Sequence, residues 1–247
     1  YLDQNILKAI GEMDFETPTP VQAEIIPEIL NGTGDIIGLA QTGTGKTAAF
    51  GLPLTELLKN RENRTLALIL CPTRELCMQI TGDIKRFSKY LPSMTVTPVY
   101  GGAGIDQQIR ALKKGSLIIV ATPGRILDLM RRKACDISGI EYLVLDEADI
   151  MLNMGFKEEL DAILESAPKE RRTLLLSATM PKEIRTIAEE YMNAPKEIVL
   201  GRKNAGIESV SHMYLLADRR EKYAALKRLV DYHPDVYGII FCRTKRQ

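Results

Sequence analysis

Ala40-Gln41-Thr42-Gly43-Thr44-Gly45-Lys46-Thr47 is the stretch on which the reading of this chain turns. The run Asp35-Ile36-Ile37-Gly38-Leu39 leads into it, and the helix-like stretch Ala48-Ala49-Phe50-Gly51-Leu52 leads out. Strand, glycine-rich turn, Gly-Lys-Thr, helix is an arrangement that wraps a phosphate chain. Glycines let backbone N–H groups turn inward around phosphate oxygens. The helix N-terminus that follows adds a partial positive charge. Lys46 can reach the outer phosphates, and the Thr47 hydroxyl can ligate Mg²⁺. One position departs from the general loop formula, which asks for Gly where this chain has Ala40.

Outward from the loop, composition sets bounds. The chain has 247 residues, 45% hydrophobic and 26% charged, enough for one sizeable α/β domain or one and a part. A formal net charge of +1 gives no general attraction to nucleic acid, so an RNA or DNA site must be a local cluster at loop ends. Cys71, Cys77, Cys135 and Cys242 form no C-x-x-C pair, and His212 and His233 lack neighbouring ligands, which argues against zinc. Scattered cysteines suit a reducing compartment. No stretch is of membrane-spanning length and no signal peptide opens the chain, so the expectation is a cytoplasmic protein. The chain starts at Tyr1 and stops at Gln247 just after an apolar run. Both ends read as cut from a longer protein.

Before the loop, Leu2, Ile6, Leu7 and Ile10 recur at helical spacing up to Gly11. Phe15-Glu16-Thr17-Pro18-Thr19-Pro20-Val21-Gln22 then fixes an extended turn and starts a second helix, with apolar face Val21, Ile25, Ile26, Ile29 and Leu30. Asn31-Gly32-Thr33-Gly34 closes it. Gln22 has two readings here. It is a helix-cap residue, or its amide matches the N6 and N7 edge of adenine.

After the loop the same syntax repeats. Leu66 to Leu70 is an apolar strand candidate, followed by Pro72-Thr73-Arg74-Glu75 at a helix start. Val96 to Tyr100 runs into Gly101-Gly102, and Leu117 to Val120 into Thr122-Pro123-Gly124-Arg125. Tyr142 to Leu145 runs into Asp146-Glu147-Ala148-Asp149. Leu174 to Leu176 runs into Ser177-Ala178-Thr179, with Pro181 opening a helix. Strands apolar throughout, alternating with helices, imply an α/β fold: a parallel sheet sandwiched by helices. Ligands of such sheets bind beyond the carboxyl ends of the strands. Every polar cluster just named falls at such an end, so all converge on one edge.

The chemistry available at that edge is specific. Asp146 follows four apolar residues and emerges where a Mg²⁺ ligand is needed, while Glu147 beside it can orient or deprotonate a water. Asp149 with the Ser177 and Thr179 hydroxyls reads as a latch between two strand ends that couples nucleotide state to a second ligand. Arg74 and Arg125 each sit in the first turn of a helix, where a cation opposes the dipole. They are exposed salt-bridge residues or, with the backbone N–H groups there, phosphate contacts. Gly101-Gly102 permits close approach of another backbone, so these elements together could track a nucleic-acid strand by its phosphates.

Toward the C-terminus, Tyr191 to Pro195 ends the last helix of the pattern and Glu197 to Leu200 reads as a final strand. Residues 1–200 form the first domain, and 201–209 read as a linker. Residues 210–247 carry a strand (Val210 to Leu216), a helix (Arg219 to Tyr232) and a strand (Tyr237 to Cys242), too little to bury both strand faces. They are expected to open a second, incomplete domain.

In this order, the motifs resemble those of the DEAD-box ATP-dependent RNA helicases, bacterial members above all. Asp146-Glu147-Ala148-Asp149 spells the family name. Phe15 to Gln22 resembles the adenine-reading Q motif. Ala40 to Thr47 resembles motif I, in which the family itself carries the first-position Ala. Pro72 to Leu76, the Gly101-Gly102 pair, Thr122 to Arg125, Ser177 to Thr179, and Ile239 to Thr244 resemble further motifs of the set.

The resemblance implies a RecA-like, P-loop NTPase domain that binds ATP, Mg²⁺ and one side of single-stranded RNA. By the same resemblance, Phe15, Thr17, Gln22 and the loop from Ala40 to Thr47 (Gln41, Thr42, Gly43, Thr44, Gly45 and Lys46 between them) take the nucleotide. Thr47 and Asp146 take the metal, and Glu147 with Lys46 is catalytic. Pro72, Thr73, Arg74, Gly101, Gly102, Thr122, Pro123, Gly124 and Arg125 face RNA, and Asp149, Ser177 and Thr179 couple the two sites.

Asp14 stands where the Q motif usually has Gly, and the family's upstream aromatic falls before Tyr1. The family's arginine fingers belong to a second RecA-like domain that lies beyond Gln247 and acts in cis. The stretch by itself is expected to bind nucleotide and not to unwind RNA. An ATP-gated RNA clamp or assembly platform, and a DNA-directed helicase, are the alternatives.

Overall fold

The computed structural model describes residues 2–62, 64–200, 211, 213–218 and 220–242. The elements run α1 (Gln4–Gly11), α2 (Pro20–Asn31), β1 (Ile36–Leu39), α3 (Lys46–Leu58), β2 (Ala67–Leu70), α4 (Arg74–Phe87), β3 (Val96–Val99), α5 (Ile105–Lys113) and β4 (Ile118–Ala121). They continue with α6 (Pro123–Arg131), β5 (Tyr142–Leu145), α7 (Ala148–Asn153), α8 (Lys157–Ser166), β6 (Arg172–Ser177), α9 (Lys182–Tyr191), β7 (Lys196–Val199) and α10 (Lys222–Tyr232). The chain divides into two compact units, Tyr1–Asn204 and Ala205–Gln247.

The first unit holds a seven-stranded sheet in the order β3-β4-β2-β5-β6-β1-β7, parallel throughout. Its strands are apolar without alternation because both faces are covered. One face packs Ile36, Ala67, Ile69, Ile118, Val120, Val144 and Leu174 against α1 to α4, through Ile6, Ile25, Leu54, Ile80 and Phe87. The other packs Ile37, Leu68, Leu70, Ile119, Leu143, Leu145 and Leu175 against residues of α6 to α9, through Ile126, Met151, Ile163 and Ile187. At Gly38, α2 packs close against the sheet. A Cβ there would lie 2.9 Å from Ile25 Cδ1 and 2.7 Å from Leu176 Cδ2.

Two polar devices, the buried Asp35 and the half-buried Arg172, brace the structure at the amino-terminal ends of the strands. The Asp35 carboxylate accepts from the backbone N–H of Thr173 and of Asn193, each at 2.7 Å, tying the starts of β1 and β6 to the chain entering β7. Arg172 donates to the carbonyls of Gly34, Ile29 and Glu28 at 2.6–2.7 Å. It thereby supplies donors to two last-turn carbonyls of α2 and to the loop that follows it. Neither residue is singled out by its sequence neighbourhood.

In the second unit, α10 is the one regular element among the described residues, and none of its residues is buried. The apolar stretches read as strands, Met213 to Leu216 and Tyr237 to Cys242, are exposed and irregular. No described strand pairs with them, and a strand without a hydrogen-bonding neighbour has no ladder to hold it. The expected linker, 201–209, lies outside the described residues, as do Val210, His212, Arg243 and Thr244. No helix among the described residues is long and apolar enough to cross a membrane.

Candidate active site

Because every strand runs the same way, the turns after β1, β2, β3, β4, β5 and β6 share one edge. Strand order splits that edge in two: β5, β6 and β1 adjoin, and β3, β4 and β2 adjoin. The first group carries a cavity of about 1100 Å³, lined among others by Phe15, Gln22, Lys46, Thr47, Asp146 and Glu147.

The loop between β1 and α3 is held by its own side chains and by two from the start of α2. Gly43 and Gly45 have φ of 79° and 92°, left-handed conformations natural to glycine. A Cβ at Gly45 would also meet Gln22 Nε2 at 2.5 Å. Lys46, almost wholly buried, donates from Nζ to the Ala40 carbonyl at 2.8 Å. Thr44 Oγ1 donates to the Gln41 carbonyl at 2.8 Å. Thr19 Oγ1 reaches the Thr44 carbonyl at 2.9 Å, and Gln22 Nε2 the Gly45 carbonyl at 3.2 Å. Gln22 Oε1 meanwhile accepts from the Thr19 N–H at 3.0 Å in a capping box. Gln22 therefore caps α2, the first of its two readings, and it also touches the loop. Thr19 was not among the expected site residues. The Thr-x-x-Gln spacing was the signal that could have found it. Thr17 is exposed and does not line the cavity. Phe15 does, with its ring 6.3 Å from that of Phe87.

Asp146 and Glu147 stand at the end of β5. The Asp146 side chain is buried, and burial pushes its pKa up to about 6, with Lys46 nearby opposing the rise. One of its oxygens accepts from the Glu147 N–H at 3.1 Å. Glu147 takes φ 52° and ψ 49°, a left-handed conformation that strains a residue with a Cβ by about 1–3 kcal/mol. It precedes α7 directly, and its half-buried carboxylate lines the cavity.

Of the expected latch, one half forms. Asp149 Oδ2 accepts from Thr179 at both N (3.0 Å) and Oγ1 (2.7 Å). Ser177 Oγ is buried with no hydrogen-bond partner among the described residues. Ser177 is the last residue of β6, and it reaches the loop through its backbone instead: its carbonyl accepts from the Ala40 N–H at 3.0 Å.

The second group of strand ends brings together Pro72 to Arg74, Gly101-Gly102 and Thr122 to Arg125. Thr73 caps α4, its Oγ1 accepting from the Leu76 N–H at 3.2 Å. Arg74 begins α4 with its guanidinium 5.0 Å from the Tyr100 ring centroid. Arg125 lies in the first turn of α6 and donates from Nη1 to the Ala103 carbonyl at 3.1 Å. Pro123 occupies the first turn of α6, and the Thr122 N–H is held by Val99. Two helix N-termini and a glycine turn thus face one surface, an arrangement suited to a row of anionic groups.

Comparisons with known proteins agree with this geometry. A family model described as DEAD/DEAH box helicase matches residues 19–187. A DEAD-box ATP-dependent RNA helicase CshA from Bacillus cereus is 46% identical over 246 residues, covering 100% of this chain and 46% of that protein. The ATP-dependent RNA helicase CshA of Listeria monocytogenes is likewise 46% identical, with 100% and 47% covered. The chain spans about half the length of the curated relatives it matches.

Among solved structures, a DEAD box protein from Methanococcus jannaschii superposes with a TM-score of 0.75 at 41% identity, over 99% of this chain and 65% of that one. A hypothetical ATP-dependent RNA helicase from Sulfolobus tokodaii gives 0.74 at 37%, over 81% and 57%. The RecA-like parallel sheet expected from the resemblance is the fold observed. With motifs, sheet order and relatives in accord, the chain belongs to the DEAD/DEAH box helicase family.

Proposed function

We propose that this chain is the nucleotide-binding half of an ATP-dependent RNA helicase, whose RNA-stimulated ATP hydrolysis drives local separation or remodelling of RNA duplexes. The observation that carries the proposal is the facing of Lys46 and Thr47 on the turn after β1 with Asp146 and Glu147 after β5, across one cavity. Lys46 leaves the Ala40 carbonyl for the outer phosphate oxygens. Gln22 takes the adenine edge, with Phe15 against the base. Glu147 orients the attacking water and accepts its proton, helped by the strained backbone that fixes its direction.

Thr47 and Asp146 fit a magnesium ion. They are two oxygen donors at one cavity, and the protonation that burial favours at Asp146 is relieved by a cation. Magnesium needs few protein ligands, because it keeps waters and phosphate oxygens as the others. Magnesium, when bound with the nucleotide, supplies charge neutralisation at the phosphates. The cluster at β2, β3 and β4 contacts RNA phosphates, and Asp149 with Thr179 relays between the two.

Residues 210–247 open a second RecA-like domain, after a linker at 201–209, whose remainder supplies the arginines that complete the site in cis. Four free cysteines support a place in the reducing cytoplasm. The test uses the full-length protein. Hydrolysis of ATP is followed with single-stranded RNA, with DNA of the same sequence, and with neither, for the wild type and for Glu147→Gln. Stimulation by RNA alone, reduced about a hundredfold or more in the variant, is expected. Equal stimulation by DNA would defeat the RNA reading, and a fully active variant would defeat the role of Glu147.

A further inference from the structure

Arg74 carries five donors at the start of α4, and among the described residues it makes no hydrogen bond or ion pair. What holds it is the Tyr100 ring beneath its guanidinium, 5.0 Å from the centroid. Tyr100 is the residue between β3 and the Gly101-Gly102 turn. Its own carbonyl accepts from Gln108 Nε2 at 3.0 Å, a side chain one turn into α5. Arg125 grips the other side of the turn at the Ala103 carbonyl. Between these two grips lie Gly101 and Gly102, exposed, with no acceptor for either N–H among the described residues. Gly102 takes φ 81°, and a Cβ there would sit 3.8 Å from Arg74 Nη1, so the tip of the turn and the guanidinium are neighbours.

Gln108 is an unusual choice for its position. It is 7% exposed, yet its Oε1 is buried with no partner among the described residues. A buried acceptor left unmet costs stability, and an apolar side chain of similar size would avoid that cost. Its surroundings therefore do not explain an amide by packing alone; the bond to the Tyr100 carbonyl does.

We infer that Tyr100 and Gln108 are positioning residues for phosphate binding at this edge. The ring aims Arg74, and the amide fixes the carbonyl from which the turn departs, so that the Arg74 donors and the Gly101 and Gly102 N–H groups face the same anionic backbone. The inference rests on the proposed reading of this edge as the RNA contact. It adds two residues that no motif of the sequence marks, and neither touches RNA itself.

The test uses the full-length protein and a single-stranded RNA oligonucleotide. The RNA concentration for half-maximal ATPase stimulation, kcat at saturating RNA, ATP affinity and Tm are measured for Tyr100→Leu, Tyr100→Phe and Gln108→Met. Tyr100→Leu and Gln108→Met should each raise the half-maximal RNA concentration by roughly tenfold. Their kcat and ATP affinity should stay within about twofold, and the Tm of Gln108→Met should be no lower than that of the wild type. Tyr100→Phe, which keeps the ring, should behave as the wild type. A Gln108→Met variant with a lowered Tm and an unchanged RNA requirement would make Gln108 structural and overturn its role. A Tyr100→Phe variant as impaired as Tyr100→Leu would overturn the role of the ring. A wild type that RNA does not stimulate defeats the functional proposal and this inference together, whereas a stimulated wild type with indifferent variants defeats this inference alone.

Discussion

Two stretches of this chain have nearly the same local character and different fates. Ile36 to Leu39 is a short apolar run, and so is Tyr237 to Cys242. The first is β1, buried on both faces, with β6 on one side and β7 on the other. The second is irregular, with Ile239 81% and Phe241 90% exposed. Neither run lacks β propensity. What differs is the company: paired neighbours in register and helices over both faces. Strand formation is a property of the assembled sheet more than of the segment, because the ladder and the burial both come from elsewhere in the chain.

The largest effect that could break this comparison lies in β1. Ile37→Ala should cost about 3–4 kcal/mol in equilibrium urea unfolding, since Ile37 is buried against the far face of the sheet. A cost as small as that of a surface change would mean that β1 is not the strand described.

A smaller effect sharpens the contrast inside the first unit, between its core and its site. The pKa of Asp146 is raised by burial from 3.8 to about 6. The folded chain thus holds this proton more tightly than the unfolded one. The associated stability is present in full below about pH 4 and is lost as pH rises through about 6. Above that, the buried carboxylate costs about 2–3 kcal/mol. Asp146→Asn should therefore stabilise the chain by about 2 kcal/mol at pH 8. That gain should fall to about a third near pH 4.5 and vanish below about pH 4, as measured by urea unfolding across pH. A gain independent of pH would assign the effect to something other than ionisation.

The smallest expected effect is on the other side of the comparison. Ile239→Ala should change the stability of this same chain by less than about 0.5 kcal/mol. A larger loss would show that the segment is packed after all.

The sequence made much of this legible for a physical reason. Fully apolar strands separated by helices admit one arrangement of strand direction, and direction alone gathers the turns on one edge. What stayed hidden depended on partners far along the chain. Asp35 and Arg172 hold backbone groups 138 or more residues away, and no local pattern announces such contacts. Ser177 and Thr179 looked equivalent as hydroxyls beside Asp149. The structure separates them because Ser177 still belongs to β6, with its side chain in the interior, and Thr179 has left it. Tyr100 was read as the end of a strand, and its ring became informative once Arg74 was placed above it.

The resting contact of Lys46 has a further consequence, for turnover. Lys46 rests on the Ala40 carbonyl, so the loop's ammonium donor already has a partner. On the proposed reading of this site, arrival of a nucleotide is for Lys46 an exchange of partners rather than a gain of a new one, and departure reverses the exchange. An ammonium stranded in a buried pocket would cling to the spent product. One with a carbonyl waiting 2.8 Å away can let it go.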